Sequence, residues 1–197
     1  MPPMPPITQA LMLINTGVFC ALFLFDSWFG RLFALWPWGS GFLPWQVVTY
    51  AFVHVSMIQL FFNMLGLWMF GAEMERLWGP KRYLQFYAAA IITGAFVQLG
   101  ASALFGSMNP ATGATAALFG LLMAFGLLFP NRTIMPLFPP IPMKARVFVI
   151  VFGGIQLLVT YLEQRGGIVQ FSALGGMIGG FLMIQYWRGR PPFGSRR

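Results

Sequence analysis

Long runs of apolar residues with few charges constrain this chain more than any other feature of its sequence. Only 8% of the 197 residues are charged, whereas a soluble domain carries about 25%. Six apolar runs approach the roughly 20 residues that a membrane-spanning helix needs. They cover about residues 7–25, 45–70, 83–105, 111–129, 145–162 and 168–187. We therefore expect a single all-α integral membrane domain over residues 1–197, with six transmembrane helices.

The segments around these runs complete the predicted domain. Residues 1–6 are rich in proline, and Thr8 is the expected N-cap of the first helix. Residues 26–44 carry many aromatic side chains. Because tryptophan favours the membrane–water interface, we expect this connection to lie there. The membrane core then spans about residues 7–187, and residues 188–197 form a basic tail.

The basic residues are distributed unevenly between the two sides of this six-span arrangement. Ten of the 12 lie on the side of the N-terminus, namely Arg76, Lys81, Arg82, Arg132, Lys144, Arg146, Arg188, Arg190, Arg196 and Arg197. Only Arg31 and Arg165 lie on the other side. The positive-inside rule then predicts that both termini are cytoplasmic. The net charge of +8 is therefore attributed to topology and to attraction for membrane lipids, and no nucleic-acid partner is expected.

Small residues recur at helical spacing in the fourth and sixth runs. In a membrane, small residues let two helices approach closely, because packing drives their association there. We expect these residues to form a packing seam between the two helices. The seam consists of Gly113, Ala117, Gly120, Gly175, Gly176, Gly179 and Gly180.

The second run carries the polar residues His54, Gln59 and Asn63. An ionisable residue inside a membrane span indicates a functional site. On a continuous helix with about 100° per residue, Gln59 and Asn63 lie about 140° and 180° from His54. The pattern therefore predicts that Gln59 and Asn63 share a face and that His54 points elsewhere.

The chain is poor in residues that bind metals. It contains one histidine, one cysteine (Cys20) and four acidic residues. Metal sites in proteins usually combine several His, Cys or carboxylate ligands. We therefore expect no metal and no organic cofactor, and a single cysteine excludes an internal disulfide.

Several motifs occur in a fixed order along the chain. They are Trp45-Gln46 through Tyr50, His54 with Asn63, the Gly71…Glu75…Gly79 turn, the proline-rich connection 129–145, and the small-residue openings of the fourth and sixth runs. Together they resemble the rhomboid intramembrane serine proteases in their short six-span bacterial form. The resemblance implies a rhomboid-like helical bundle in a bacterial inner membrane.

In that family, a serine at the start of the fourth span attacks the peptide carbonyl and a histidine of the sixth span takes its proton. The resemblance puts Thr115 at the serine position, Ala116 at the following glycine and Ala173 at the histidine position. It puts Gln59 at the position of a histidine that binds the oxyanion together with Asn63. Alanine offers no proton acceptor, and losing the base of a serine protease costs about 10⁶-fold in rate. We therefore expect a pseudoprotease rather than an enzyme.

The expected function is binding of a transmembrane helix from another membrane protein. The chain would act as an accessory subunit of a larger membrane complex or as a client adaptor. The binding cavity is predicted at His54, Gln59, Asn63, Thr115 and Ala173. Three alternatives stay open: an active protease with Thr115 as its nucleophile, a transporter or channel, and a structural role in shaping the bilayer.

Overall fold

A computed structural model describes residues 3–24, 26–106, 109–135, 142–151, 154 and 171–189. Most of the fifth predicted span, together with Arg165, lies outside the described residues. The same holds for the part of the basic tail that follows Gly189, which includes Arg190, Arg196 and Arg197.

The described residues are mostly helical. The helices are α1 (Pro6–Leu24), α2 (Asp26–Phe33), α3 (Gln46–Thr49), a 3₁₀ turn (Tyr50–Phe52), α4 (Met57–Gly66), a π-helical turn (Leu67–Gly71), α5 (Ala72–Trp78), α6 (Pro80–Phe105), α7 (Thr115–Leu128), α8 (the helical residues 145–151) and α9 (Ser172–Trp187). Two short strands, β1 (Thr133–Ile134) and β2 (Met143–Lys144), pair antiparallel between α7 and α8.

Helix α6 is the one described helix that is both long and apolar enough to cross a membrane by itself. The segments Gln46–Phe52 and Met57–Trp78 would make a second span if this bent pair is counted as one. Helices α1 and α7 are apolar but shorter. The predicted count of six spans and the orientation of the termini therefore remain predictions.

The second predicted run is broken, which corrects the expectation of one continuous helix. Its two segments meet at an angle of 95°. Val53 ends the 3₁₀ turn in an extended conformation, and the Ser56 side chain accepts a hydrogen bond from the Gln59 amide to start α4. This hydroxyl satisfies a backbone amide that has no partner within the helix, which stabilises the start of α4 after the break.

Close backbone packing joins α6, α7 and α9. A Cβ atom on Gly176 would overlap the carbonyl oxygen of Ala116, and one on Gly120 would lie 2.9 Å from the Gly176 carbonyl oxygen. A Cβ on Gly180 would lie 2.9 Å from the carbonyl oxygen of Gly120. Glycine is therefore required where α7 and α9 cross, and these contacts fix the position of the two helices along each other.

Helix α1 is capped from a distant part of the chain. Glu75, which is 3% exposed, accepts hydrogen bonds from the backbone amides of Ile7 (2.9 Å) and Thr8 (2.7 Å) and from the Thr8 hydroxyl (2.8 Å). The expectation that Thr8 caps this helix is wrong, because the helix begins at Pro6 and Thr8 donates to the carboxylate. An anionic side chain at a helix N-terminus also interacts favourably with the helix dipole.

The connection over residues 26–44 is organised by the side chain of Gln46. Its carbonyl oxygen accepts from the backbone amides of Trp36 (3.1 Å) and Leu43 (3.2 Å). In addition to these bonds of Gln46, Leu35 and Ala111 exchange two backbone hydrogen bonds of 3.0 and 2.9 Å. The aromatic connection is thereby attached to the loop that precedes α7.

Candidate active site

The break in the second run brings His54 against Asn63. The Nδ2 atom of Asn63 lies 2.9 Å from Nε2 of His54, and Nδ1 of His54 lies 3.2 Å from the carbonyl oxygen of Phe52. Because a carbonyl only accepts, Nδ1 carries the proton and Nε2 accepts from the asparagine amide. The predicted separation of these two side chains is wrong, because a helical wheel does not apply across a 95° bend.

Gln59 links the same break to the loop before α7. Its Oε1 atom accepts from the backbone amide of Val55 (3.1 Å), and its Nε2 atom donates to the carbonyl oxygen of Thr112 (3.1 Å). Gln59 therefore lies between the first turn of α4 and the residues that lead into Thr115.

Gly113 lies at the centre of this group. Its φ is +97°, a conformation that side chains rarely adopt, and its amide donates to the carbonyl oxygen of Tyr50 (2.9 Å). A Cβ at this position would lie 2.5 Å from Nε2 of Gln59 and 3.2 Å from Nδ2 of Asn63. The two amide side chains therefore face the backbone just before α7.

Thr115 is the first residue of α7 and is half-buried. Ala114 precedes it without a side-chain cap, and the first backbone N–H groups of a helix have no partner within the helix. Such a helix start, with its partial positive charge, suits a developing negative charge. The backbone N–H groups at this helix start are donors of the kind that an oxyanion requires.

Ala173 is buried in the first turn of α9. This turn and the first turn of α7 meet at Gly94, where an added Cβ would lie 2.5 Å from Cβ of Ala116 and 2.9 Å from the carbonyl oxygen of Ser172. The structure thus brings the positions of Thr115 and Ala173 onto adjoining helix turns, as the resemblance implies. Ala173 contributes only a methyl group there.

Two contributors to this region were missed in the sequence. One is the Thr112 carbonyl, which has no sequence signal because it is a backbone group. The other is the new helix start at Ser56, which the pattern Ser56-x-x-Gln59 indicates, since a serine followed three residues later by glutamine marks a helix N-terminus. In the described part of the chain, no group of three His, Cys, Asp or Glu residues could hold a metal ion.

The described residues thus include a threonine at the start of α7, the Gln59 and Asn63 amides near Gly113, and the buried His54 against Asn63. Hydroxyl, amide and imidazole groups are those that acyl-transfer sites use. The comparison with known families gives the particular assignment. The Rhomboid domain model matches residues 42–190. The chain therefore belongs to the rhomboid family of integral membrane proteins.

Several curated proteins are similar to this chain. Rhomboid protease GluP of Bacillus subtilis is 36% identical over 138 residues, which are 70% of this chain and 25% of that protein. Rhomboid protease GlpG of Yersinia pestis is 25% identical over 186 residues, 92% of this chain and 62% of that protein. Rhomboid protein 1 of yeast mitochondria (Saccharomyces cerevisiae) is 30% identical over 144 residues, 72% of this chain and 41% of that protein. The chain thus spans less than two thirds of each of these relatives.

These relatives correct one expectation. From Thr115 and Ala173 we expected a pseudoprotease that is not an enzyme. The proteins from Bacillus and Yersinia that the chain resembles are named as rhomboid proteases, which contradicts that expectation. The chain is accordingly assigned to a family whose named relatives are enzymes.

Proposed function

We propose that this chain is an intramembrane protease that binds a transmembrane helix of another membrane protein and hydrolyses a peptide bond in it. Membership of the rhomboid family and the names of its relatives support this proposal. The single observation that carries it is that Thr115 begins α7 two residues after Gly113, whose Cβ position lies 2.5 Å from Nε2 of Gln59 and 3.2 Å from Nδ2 of Asn63.

The proposed first step is attack of the Thr115 Oγ1 atom on the carbonyl carbon of the substrate. The hydroxyl proton passes to a base, the carbon–nitrogen bond breaks, and the leaving amine receives that proton. Water then hydrolyses the acyl-threonine ester and restores the hydroxyl. A side-chain amide has two N–H donors. One donor of Asn63 faces His54 and one of Gln59 faces Thr112, which leaves the second of each for the oxyanion.

Ala173 cannot supply the base, so the proton acceptor must come from another residue. His54 is the only histidine of the chain. Its Nε2 atom carries a lone pair that currently accepts from Asn63, whose Nδ2 atom lies 3.2 Å from the Cβ position of Gly113. We assign the proton acceptor to His54, with Asn63 releasing Nε2 when the substrate binds.

The test is cleavage of single-span substrate proteins by the full chain reconstituted in liposomes. Replacement Thr115→Ser should preserve cleavage, and Thr115→Val should lower it by roughly 10⁴-fold or more, because removing a nucleophile removes the covalent route. His54→Gln should reduce cleavage similarly. The matched control is Thr16→Val, since the Thr16 hydroxyl donates to its own helix in α1.

Binding and hydrolysis are separated by a second readout. A photoreactive residue placed at Val55, which is 74% exposed, would cross-link a helix docked at the break in the second run. Capture without cleavage by the unmodified chain would refute hydrolysis and support helix binding. Failure of both would refute the whole proposal. Cleavage that survives Thr115→Val would refute the assigned nucleophile.

The same proposal includes a bacterial inner-membrane location, six spans and cytoplasmic termini. The uneven distribution of basic residues and the bacterial relatives support it. A Cys20→Ser background with Ser40→Cys or Lys81→Cys would test it by labelling intact cells with an impermeant maleimide. Labelling of Ser40→Cys alone is expected, and the reverse pattern would refute the orientation.

A further inference from the structure

A second polar site lies at the opposite end of α7 from Thr115. A pocket of about 540 Å³ opens between the chain near Met4, the π-helical turn, α5 and the β1 strand. Since α7 has 14 residues that each rise about 1.5 Å, this pocket is roughly 20 Å from the candidate active site. It is therefore separate from the proposed protease chemistry.

The walls of the pocket combine apolar and charged side chains. Trp68, Met69 and Ile134 contribute apolar surface, while Glu73, Arg76 and Arg132 contribute the charges. Two guanidinium groups against one carboxylate leave the pocket with a net positive charge. The surface next to it is apolar and open, because Trp68 is 48% exposed and Met135 is 64% exposed.

Arg132 is held in position at the rim. It pairs with Glu73, and its guanidinium carbon lies 5.7 Å from the ring centre of Phe125 and 5.6 Å from that of Phe129. An arginine has five N–H donors in a planar fork that matches phosphate oxygens, and the pairing with Glu73 uses one Nη1 atom. The remaining donors are oriented before any ligand arrives.

Arg76 supplies the second cation. Its Nη2 atom donates to the carbonyl oxygen of Pro3 at 3.1 Å, which ties the side chain to the segment that precedes α1. The side chain is exposed and one helical turn from Glu73 in α5. Both arginines thus border the pocket from elements that are fixed by other contacts.

We propose that this pocket binds the phosphate headgroup of an anionic phospholipid, with Arg76 and Arg132 on the phosphate and an acyl chain along Trp68 and Met135. Charge complementarity and the adjoining exposed apolar surface favour a lipid over a free anion, because a free anion has no use for the apolar wall. Basic pockets at helix ends in membrane proteins suit such headgroups. Glu73 competes with the phosphate for Arg132 and weakens binding.

The test measures how much phosphatidylglycerol remains bound to the purified full chain in neutral detergent, by native mass spectrometry. Phosphatidylcholine with the same acyl chains is the reference lipid. Arg132→Gln should lower retained phosphatidylglycerol about fivefold, as expected for one basic residue near a lipid phosphate. Lys81→Gln is the matched control, because it removes one exposed positive charge elsewhere on the same predicted side.

The direction in which Glu73→Gln changes lipid retention distinguishes a binding site from a structural ion pair. The substitution should raise retention of phosphatidylglycerol, since it frees the Arg132 fork, whereas a purely structural ion pair would give no increase. The proposal is overturned if Glu73→Gln leaves retention unchanged or lowers it, or if Lys81→Gln lowers it as much as Arg132→Gln. It is also overturned if phosphatidylcholine is retained equally, or if excess inorganic phosphate displaces the lipid completely. None of these outcomes depends on whether the chain cleaves peptides.

Discussion

The cap that Glu75 places on α1 offers the sharpest test of what holds this bundle together. The carboxylate accepts three hydrogen bonds, one through Oε1 and two through Oε2, from donors 67 and 68 residues away in sequence. Both Glu75 and Thr8 are buried. Replacing Glu75 with alanine would leave two backbone N–H groups and one hydroxyl without their acceptor.

The size of the effect follows from these three bonds. A hydrogen bond to a charged group contributes about 1.5–3 kcal/mol, and a buried donor without an acceptor costs about 1–3 kcal/mol. Since the bond from Ile7 is only partly buried, we expect Glu75→Ala to lower the free energy of unfolding by about 3–6 kcal/mol. Glu75→Gln should lower it by about 2–4 kcal/mol, because its NH₂ group would face N–H donors.

Two further variants separate the cap from a general effect of charge. Thr8→Val removes only the hydroxyl bond and should cost about 1–2 kcal/mol. Glu73→Gln removes a carboxylate two residues away, whose pair with Arg132 is partly exposed, so it should cost no more than about 1 kcal/mol.

The assay is reversible unfolding of each variant in lipid bicelles, with a double-mutant cycle between Thr8 and Glu75. The cycle should give a coupling free energy above about 1 kcal/mol, because the two side chains bond directly. The reasoning would be refuted if Glu75→Gln were neutral, or if Glu73→Gln destabilised the protein as much as Glu75→Ala.

Two glycine pairs give the remaining predictions. Gly113→Ala places a Cβ atom 2.5 Å from a side-chain amide at φ +97°, and it should destabilise the fold by about 2–4 kcal/mol and reduce peptide cleavage. Gly39→Ala, at φ +81° with open space around the Cβ position, should cost only about 1 kcal/mol. Thermal unfolding and the liposome assay measure both variants, and equal costs would contradict a packing role for Gly113. The Cβ atom of Gly176→Ala would overlap the backbone of Ala116, so this variant should not fold stably. In Gly100→Ala, within α6, the added Cβ atom has no neighbour within 4 Å, and the variant should stabilise the fold by about 0.5–1 kcal/mol. Monodisperse Gly176→Ala protein would contradict the close crossing of α7 and α9.

The sequence alone predicted the class of the protein well, because backbone groups inside a membrane must be hydrogen-bonded within the protein, which restricts long apolar segments to few structures. Apolar length and low charge indicated a helical membrane protein, and the family resemblance is confirmed. Helices α6 and α9 end at the expected residues 105 and 187, while their starts at Pro80 and Ser172 lie three and four residues from the expected 83 and 168. The end of α9 could be predicted because a polar, basic tail follows it.

The geometry near Thr115 could not be predicted, because long-range contacts determine it. A wheel projection assumed an unbroken helix through His54 and separated it from Asn63, whereas the chain turns by 95° between them. The Glu75 cap joins residues too far apart in sequence for any periodic pattern to relate them. The inference that the chain is not an enzyme failed differently, because it weighed the departures at Gln59, Thr115, Ala116 and Ala173 more heavily than the similarity of the whole chain to named proteases.

The paired hydrogen bonds between Leu35 and Ala111 have a mechanical consequence. They attach the aromatic connection to the residues that lead into Thr115, with only Thr112, Gly113 and Ala114 in between. A change in bilayer thickness or surface tension that displaces this connection must either break both bonds or move Ala111 with it. With the connection at the membrane surface, as predicted, these two bonds would transmit its displacement to the proposed nucleophile, and the lipid composition around the protein would then affect the proposed site.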